Sequence, residues 1–176
     1  GSIVVLNRHD GSILSMNSNP TYDAQKFEDR DNLTINSFLK HPDKPLLNRA
    51  FNGFYPPGSV FKPISALLGL KKNFITENTE VFCTGSISLA DRNYYCWKKG
   101  GHGRVNLKKA IKESCDCYFY ELAKKINIDD LSNLATDLGL NNIYKIGLSN
   151  PQKGLVPNKK WKKSYLNQGW YQGETL

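Results

Sequence analysis

The sequence predicts an α+β protein in which an antiparallel sheet packs against helices, and three observations lead to this prediction. Two β-rich runs flank an Asp-Gly pair near the start, apolar residues at helical spacing follow, and Asn and Gly stand where those helices should begin and end. The 176 residues are 39% hydrophobic and 23% charged, which is enough for a packed core. This composition excludes a disordered tail, a collagen-like repeat and a coiled coil.

The first elements are expected to be a hairpin, a short helix and a tight turn. Asp10-Gly11 separates the runs Ile3–Leu6 and Ser12–Asn17, and this pair is typical of hairpin turns, so two antiparallel strands are predicted. A short helix is predicted around Asn32–Lys40. The segment Tyr55-Pro-Pro-Gly58 predicts an irregular turn.

The rest of the chain is expected to be mainly helical. Residues 79–103 contain Gly and many aromatic residues, and we expect few strands there. Pro63 is compatible with a helix only within its first turn, and Asn106 is a candidate N-cap. The predicted helices are Ser59–Leu70, Leu107–Glu113, Cys117–Ile126 and Asp129–Leu138.

The charge pattern says little about function. The net charge is +8, but Arg, the better reader of base edges, supplies only 5 of the 24 basic residues. We therefore expect a solvated basic surface and no nucleic-acid partner. Apolar runs such as Ile3–Leu6 and Ala66–Leu68 are far below the ~18 residues that span a bilayer, and no signal peptide is visible. Gly1-Ser2 is interpreted as a cloning scar.

One short motif can carry chemistry. Ser59 and Lys62 are one helical turn apart and therefore share a helix face. A lysine can take the proton of a serine hydroxyl and so make it a nucleophile. From the residues alone, the commoner meaning of Ser-x-x-Lys is an N-cap serine and a surface lysine.

The context of this motif resembles a known family. The segment Tyr55–Pro63 is similar to the active-site motif of class B penicillin-binding transpeptidases, and Ser114-Cys-Asp116 stands where that family has its second motif, in the Ser-x-Asp form of the elongation type. Further segments similar to the elongation type are Asn19–Asp23, Trp97–Gly103, Tyr118–Tyr120 and Trp170–Gly173.

The resemblance implies a fold and a reaction. The fold is that of penicillin-binding proteins and serine β-lactamases, and the reaction is cross-linking of peptidoglycan stem peptides through a serine acyl-enzyme. Ser59 is then the nucleophile, Lys62 its base and Ser114 a proton relay, while Asp116 holds Lys62 and the substrate amide. Ser59, Ser114 and Asp116 contact the D-Ala-D-Ala donor peptide, and β-lactams acylate Ser59.

The family's third motif, Lys-Thr/Ser-Gly, does not occur in these residues. It lies on a strand that contributes a donor to the oxyanion hole, and loss of one such donor lowers the rate about 10²–10³-fold. We therefore expect residues 3–176 to be the N-terminal portion of one transpeptidase domain and to be inactive alone.

The cysteines allow more than one interpretation. Cys83, Cys96 and Cys115 with His102 form a donor set suited to tetrahedral zinc, although the spacing matches no standard finger. A Cys83–Cys96 disulfide and ordinary buried cysteines are the alternatives. The resemblance implies that these four residues bind a structural zinc and that Cys117 does not. It implies no organic cofactor.

The resemblance also implies a location and partners. The parent protein would be anchored upstream in the bacterial inner membrane with this domain at the periplasmic face, and would act in cell shape with a SEDS-type glycosyltransferase and the rod-shape machinery.

Two other functions stay open. One is a basic Cys3His zinc-binding interaction module, and the other is a β-lactam sensor or hydrolase of the same fold.

Overall fold

A computed structural model describes residues 1–175, which divide into two compact units. The first unit comprises residues 1–55 and 143–154. The second comprises residues 56–142 and the residues from 155 onward. Helices occur with short antiparallel strand pairs, which confirms the predicted α+β class.

The first unit contains the predicted hairpin. Strand β1 (Ser2–Leu6) pairs antiparallel with β2 (Ile13–Ser18), and Gly11 adopts a φ of +73° in the connecting turn, a conformation that glycine takes readily. The hairpin prediction is confirmed. Three helices follow: α1 (Gln25–Glu28), α2 (Asn32–Lys40) and α3 (Arg49–Asn52).

Helix α2 has the bounds expected from the sequence. Asp31 caps it, because the carboxylate accepts a hydrogen bond from the Thr34 amide at 3.1 Å. Phe38 of this helix packs with Tyr22 and Phe27 in a small aromatic cluster.

The second unit contains the remaining elements. A 3-10 turn at Gly58–Phe61 leads directly into α4 (Lys62–Lys71). The strands are β3 (Val81–Cys83), β4 (Ser86–Leu89), β5 (Arg92–Tyr95) and β6 (Gly103–Val105). The helices are α5 (Leu107–Lys112), α6 (Asp116–Ala123), α7 (Ile128–Asp137) and α8 (Lys159–Leu166), and a 3-10 turn follows at Gln172–Glu174.

The expectation of few strands in residues 79–103 is wrong. Strand β3 pairs with β6, and β4 pairs with β5, both antiparallel. Strands of three or four residues are too short to show a clear alternation of apolar and polar positions. The pairing depends on Gly101, since a Cβ there would lie 2.1 Å from the Cys83 carbonyl oxygen. Helix α8, capped by Asn158, was not expected either.

The core of the second unit lies where α4 and α6 pack together, with α7 against α4 and β3 against α6. Gly69 of α4 allows close packing, because a Cβ at this position would lie 2.9 Å from the Leu122 side chain. Leu68, Tyr118 and Leu122 are buried. This packing fixes the two helix starts that carry the Ser-x-x-Lys and Ser-x-Asp motifs. In the part of the chain that the structure describes, no helix is both long and apolar enough to cross a membrane.

Candidate active site

Ser59 and Lys62 lie at the junction of the 3-10 turn and α4. Ser59 is in the turn and exposed, whereas Lys62 is the first residue of α4 and its side chain is only 14% exposed. The short turn keeps both residues on one side of the chain, as the three-residue spacing predicts.

Ser114 and Asp116 come from the connection between α5 and α6. Ser114 has a φ of +51°, a left-handed conformation that is uncommon for a residue with a side chain. This conformation directs both the carbonyl and the hydroxyl of Ser114 to Lys62. Asp116 begins α6, where the positive end of the helix dipole favours a carboxylate.

These four residues form one hydrogen-bonded chain. The Lys62 ammonium donates to the Ser114 carbonyl at 2.9 Å, to Ser114 Oγ at 2.9 Å and to Asp116 Oδ1 at 2.6 Å. Ser114 Oγ lies 3.0 Å from Ser59 Oγ. An exposed hydroxyl is thus connected through a second hydroxyl to a largely buried amine, an arrangement that can move a proton away from a nucleophile.

The other oxygen of Asp116 is held by a residue that sequence reasoning did not assign to the site. The Trp97 amide donates to Asp116 Oδ2 at 3.0 Å. The Trp97 indole donates to the Glu113 carbonyl at 3.0 Å. Phe119 is a further addition, because its ring centroid lies 5.6 Å from Lys62 Nζ, within range of a cation–π contact.

The predicted metal ligands meet in one buried cluster. The ligand atoms of Cys83, Cys96, His102 and Cys115 all lie within 4.8 Å of one another. His102 Nδ1 faces the sulfurs, 3.7 Å from Cys83 Sγ and 3.5 Å from Cys96 Sγ. Cys117 is buried as well but is not part of this set.

The donor chemistry of this cluster fits zinc. All of its cysteines are free thiols, so the Cys83–Cys96 disulfide is not formed here. Burial opposes ionisation of Cys83, but hydrogen bonds with His102 outweigh it and lower the pKa of Cys83 to about 6. Burial raises the pKa of Cys115 to about 12. Tetrahedral Zn–S bonds of about 2.3 Å place sulfurs roughly 3.7 Å apart, so a small contraction of the cluster accommodates the ion.

The cluster is joined to the candidate catalytic residues by the chain itself. Cys115 lies between Ser114 and Asp116, and Cys96 directly precedes Trp97, whose amide binds Asp116. A group that holds Cys115 and Cys96 in place therefore also restrains the backbone of Asp116 and the Trp97 amide that binds its carboxylate.

Comparisons with known proteins found a matching family. Residues 1–172 match the family described as the penicillin binding protein transpeptidase domain. The peptidoglycan D,D-transpeptidase MrdA of Escherichia coli is 36% identical over 99% of this chain, and the chain spans 28% of that protein's length.

Solved structures are similar too. Penicillin-binding protein PBP2 of Helicobacter pylori, solved alone and in complex with MreC, is 36% identical. Alone, it matches with a TM-score of 0.91 over 99% of this chain and 34% of its own. Penicillin-binding protein A of Mycobacterium tuberculosis, solved as its penicillin G acyl-enzyme, is 25% identical, with a TM-score of 0.79 over 90% of this chain and 39% of its own.

The fold that the resemblance implied is thus confirmed, as is the kinship with the elongation-type members. The matched residues include both motifs that the hydrogen-bonded chain connects. The chain belongs to the penicillin-binding protein transpeptidase family.

Proposed function

We propose that this chain carries the nucleophile and the proton-transfer residues of a peptidoglycan D,D-transpeptidase. The single observation that supports this most is the hydrogen-bonded chain from Ser59 through Ser114 to Lys62 and Asp116. The similarity to MrdA and PBP2 proteins supports the choice of substrate. We further propose that residues 3–176 form the N-terminal portion of one transpeptidase domain, and that the activity belongs to the whole protein.

The proposed first step is acylation of Ser59. Its Oγ attacks the carbonyl carbon of the penultimate D-Ala, and its proton passes through Ser114 Oγ to Lys62 when the amine is neutral. The bond to the terminal D-Ala breaks, and the leaving amine takes a proton back through Ser114. An ester between Ser59 and the donor peptide results.

The second step transfers the acyl group. The amine of a neighbouring stem peptide attacks the ester carbonyl and gives its proton to the same chain of residues, and Ser59 Oγ leaves as the hydroxyl. Asp116 has its two oxygens held by Lys62 and by the Trp97 amide. It therefore holds the Lys62 amine in place beside Ser114 Oγ through both steps.

Labelling with a fluorescent penicillin tests the nucleophile in the full-length protein. Ser59→Ala should lose covalent labelling by at least about a thousandfold, because no other group replaces the attacking oxygen. Ser65→Ala, in the same helix α4, is the matched control and should label normally. Persistent labelling of Ser59→Ala would falsify this assignment.

A β-lactam sensor or hydrolase of the same fold is distinguished by the fate of the adduct. A transpeptidase releases the penicilloyl group slowly, whereas a hydrolase turns it over. The decay of the fluorescent adduct after removal of free penicillin measures this. Turnover within seconds would favour the hydrolase.

We also propose that Cys83, Cys96, His102 and Cys115 hold a structural zinc. When bound, the ion supplies a rigid closed coordination shell and takes no part in the chemistry at Ser59. The support is the burial of the four donors, the position of Cys115 within the Ser-x-Asp motif and the position of Cys96 directly before Trp97. Metal analysis of protein never exposed to chelator should give one zinc per chain. A ratio near zero with Cys83 and Cys96 oxidised would contradict the site.

Location and partners complete the proposal. We propose that the parent protein acts at the periplasmic face of the inner membrane, with a SEDS-type glycosyltransferase and the rod-shape machinery. The complex of the Helicobacter pylori relative with MreC supports the second partner. Crosslinking in intact cells, followed by identification of the captured proteins, tests both. Capture of neither partner would count against this part.

A further inference from the structure

The four candidate ligands account for only one of the two ring nitrogens of His102. His102 Nδ1 lies among the cysteines, but Nε2 is buried and, among residues 1–175, has no hydrogen-bond partner. The side chain is 1% exposed, so bulk water does not satisfy this atom. A buried polar atom of this kind requires a partner.

Glu113 is in position to be that partner. Its Oε2 lies 3.9 Å from His102 Nε2, about 1 Å beyond hydrogen-bonding distance. The Glu113 side chain is 34% exposed and keeps room to move. A shift of the carboxylate by about 1 Å would bring the two atoms within hydrogen-bonding distance.

The backbone of Glu113 is fixed from two directions. Its amide donates to the Lys109 carbonyl at 2.8 Å at the end of α5, and its carbonyl accepts the Trp97 indole at 3.0 Å. The Trp97 ring in turn packs edge-on against His102, with centroids 5.3 Å apart and an interplanar angle of 67°. Glu113, Trp97 and His102 therefore form one assembly.

We propose that Glu113 is the positioning residue of His102, its carboxylate accepting a hydrogen bond from Nε2–H while Nδ1 binds the metal. This rests on the proposed zinc site. A neutral imidazole that coordinates through Nδ1 carries its proton on Nε2, so the ligated ring presents a donor to Glu113. A carboxylate there fixes the orientation of the ring and makes Nδ1 a better donor.

Metal titration of the full-length protein tests this directly. Reduced, metal-free protein is titrated with Zn²⁺ against a chromophoric chelator, and separately with Co²⁺, whose visible absorption reports the ligand geometry. Glu113→Ala should weaken Zn²⁺ binding about 10–100-fold and shift the Co²⁺ bands. Glu113→Gln keeps an oxygen acceptor without the charge and should lose less, about severalfold.

The control is Glu121→Gln, which removes a carboxylate that pairs with Lys124 at 2.6 Å instead of with His102. Its Zn²⁺ affinity and Co²⁺ spectrum should match those of the wild type. If Glu113→Ala does not fold, Glu113→Gln carries the test, since it is nearly identical in shape. Unchanged affinity and an unchanged Co²⁺ spectrum in the Glu113 variants overturn the role of Glu113 alone. Failure of the wild type to bind either metal overturns the metal site, and the role of Glu113 with it.

Discussion

The two units of the chain bury their side chains very differently. Every buried apolar side chain of the core, such as Leu68 and Leu122, belongs to the second unit. In the first unit, within the described residues, Pro45 alone is buried, and the strand residue Ile3 is 68% exposed. The hydrogen-bonded chain of the candidate site lies in the second unit. Contacts of 2.6–3.0 Å between side chains from distant segments of the chain require such packing, because it locks the side-chain rotamers.

The largest difference between the units is expected in the rate of acylation. It compares the replacement of two lysines, one in each unit, that each pair with an aspartate. Lys62 lies 2.6 Å from Asp116 in the second unit, whereas Lys26 lies 3.9 Å from Asp31 in the first. Lys62→Met should lower the rate of acylation by a β-lactam about 10²–10⁴-fold, because the proton acceptor is lost. Lys26→Met should leave this rate unchanged, since exposed ion pairs contribute little.

Stopped-flow acylation of the full-length protein with a chromogenic β-lactam measures both rates. Equal rates in Lys62→Met and in the wild type would remove Lys62 from the mechanism. A large loss of acylation rate in Lys26→Met would contradict the expected contrast between the two units.

The second comparison between the units concerns the free energy of unfolding. One helical leucine of each unit is replaced by alanine. Leu122 of α6 is 2% exposed, and Leu33 of α2 is 86% exposed. Leu122→Ala should lower the free energy of unfolding by about 2–5 kcal/mol, because it removes core contacts and leaves a cavity beside Gly69. Leu33→Ala should change it by less than about 0.5 kcal/mol.

Urea denaturation of the full-length protein, followed by Trp fluorescence, gives both values. The contrast fails if the two variants lose similar stability. In that case Leu33 would be covered in the whole protein by residues outside this chain.

The sequence predicted the parts of the site that depend on local spacing. Ser59 and Lys62 are three residues apart, and a helical turn is enough to bring them together. The contact between Lys62 and Asp116 spans 54 residues, and no local rule predicts it; the family resemblance supplied it. The four metal-binding candidates were likewise identified by residue type, while their approach depends on the pairing of β3 with β6.

The sequence did not reveal contacts that are made by a backbone group or by a side chain that belongs to no motif. Trp97 holds Asp116 through its amide, a group that every residue except proline possesses, so residue type gave no signal. Glu113 lies near His102 because α5 ends there, and a glutamate at a helix end is ordinarily a solvated residue. Both become visible only through distances.

The smallest expected difference concerns two helix caps, one in each unit. Asp31 caps α2 in the first unit, and Asn106 caps α5 in the second by accepting from the Lys109 amide at 3.0 Å. Hydrogen bonds from the Thr34 hydroxyl and amide hold the pKa of Asp31 below its usual value. The stabilisation by Asp31 is therefore complete above the unfolded pKa of about 3.9 and is lost as the pH falls through the lower folded value. Asn106 does not titrate, so its cap should be independent of pH.

Hydrogen exchange at the two capped amides tests this difference. Between about pH 5 and pH 2.5, the Thr34 amide should lose protection in the wild type but keep it in Asp31→Asn, which retains a capping oxygen without a titrating group. The Lys109 amide should respond equally in both proteins, because its partner is an amide in each. Comparison of Asp31→Asn with the wild type cancels every other group that titrates in this range. If the Thr34 amide loses protection equally in the two proteins, the acid sensitivity of the first unit arises elsewhere than at this cap.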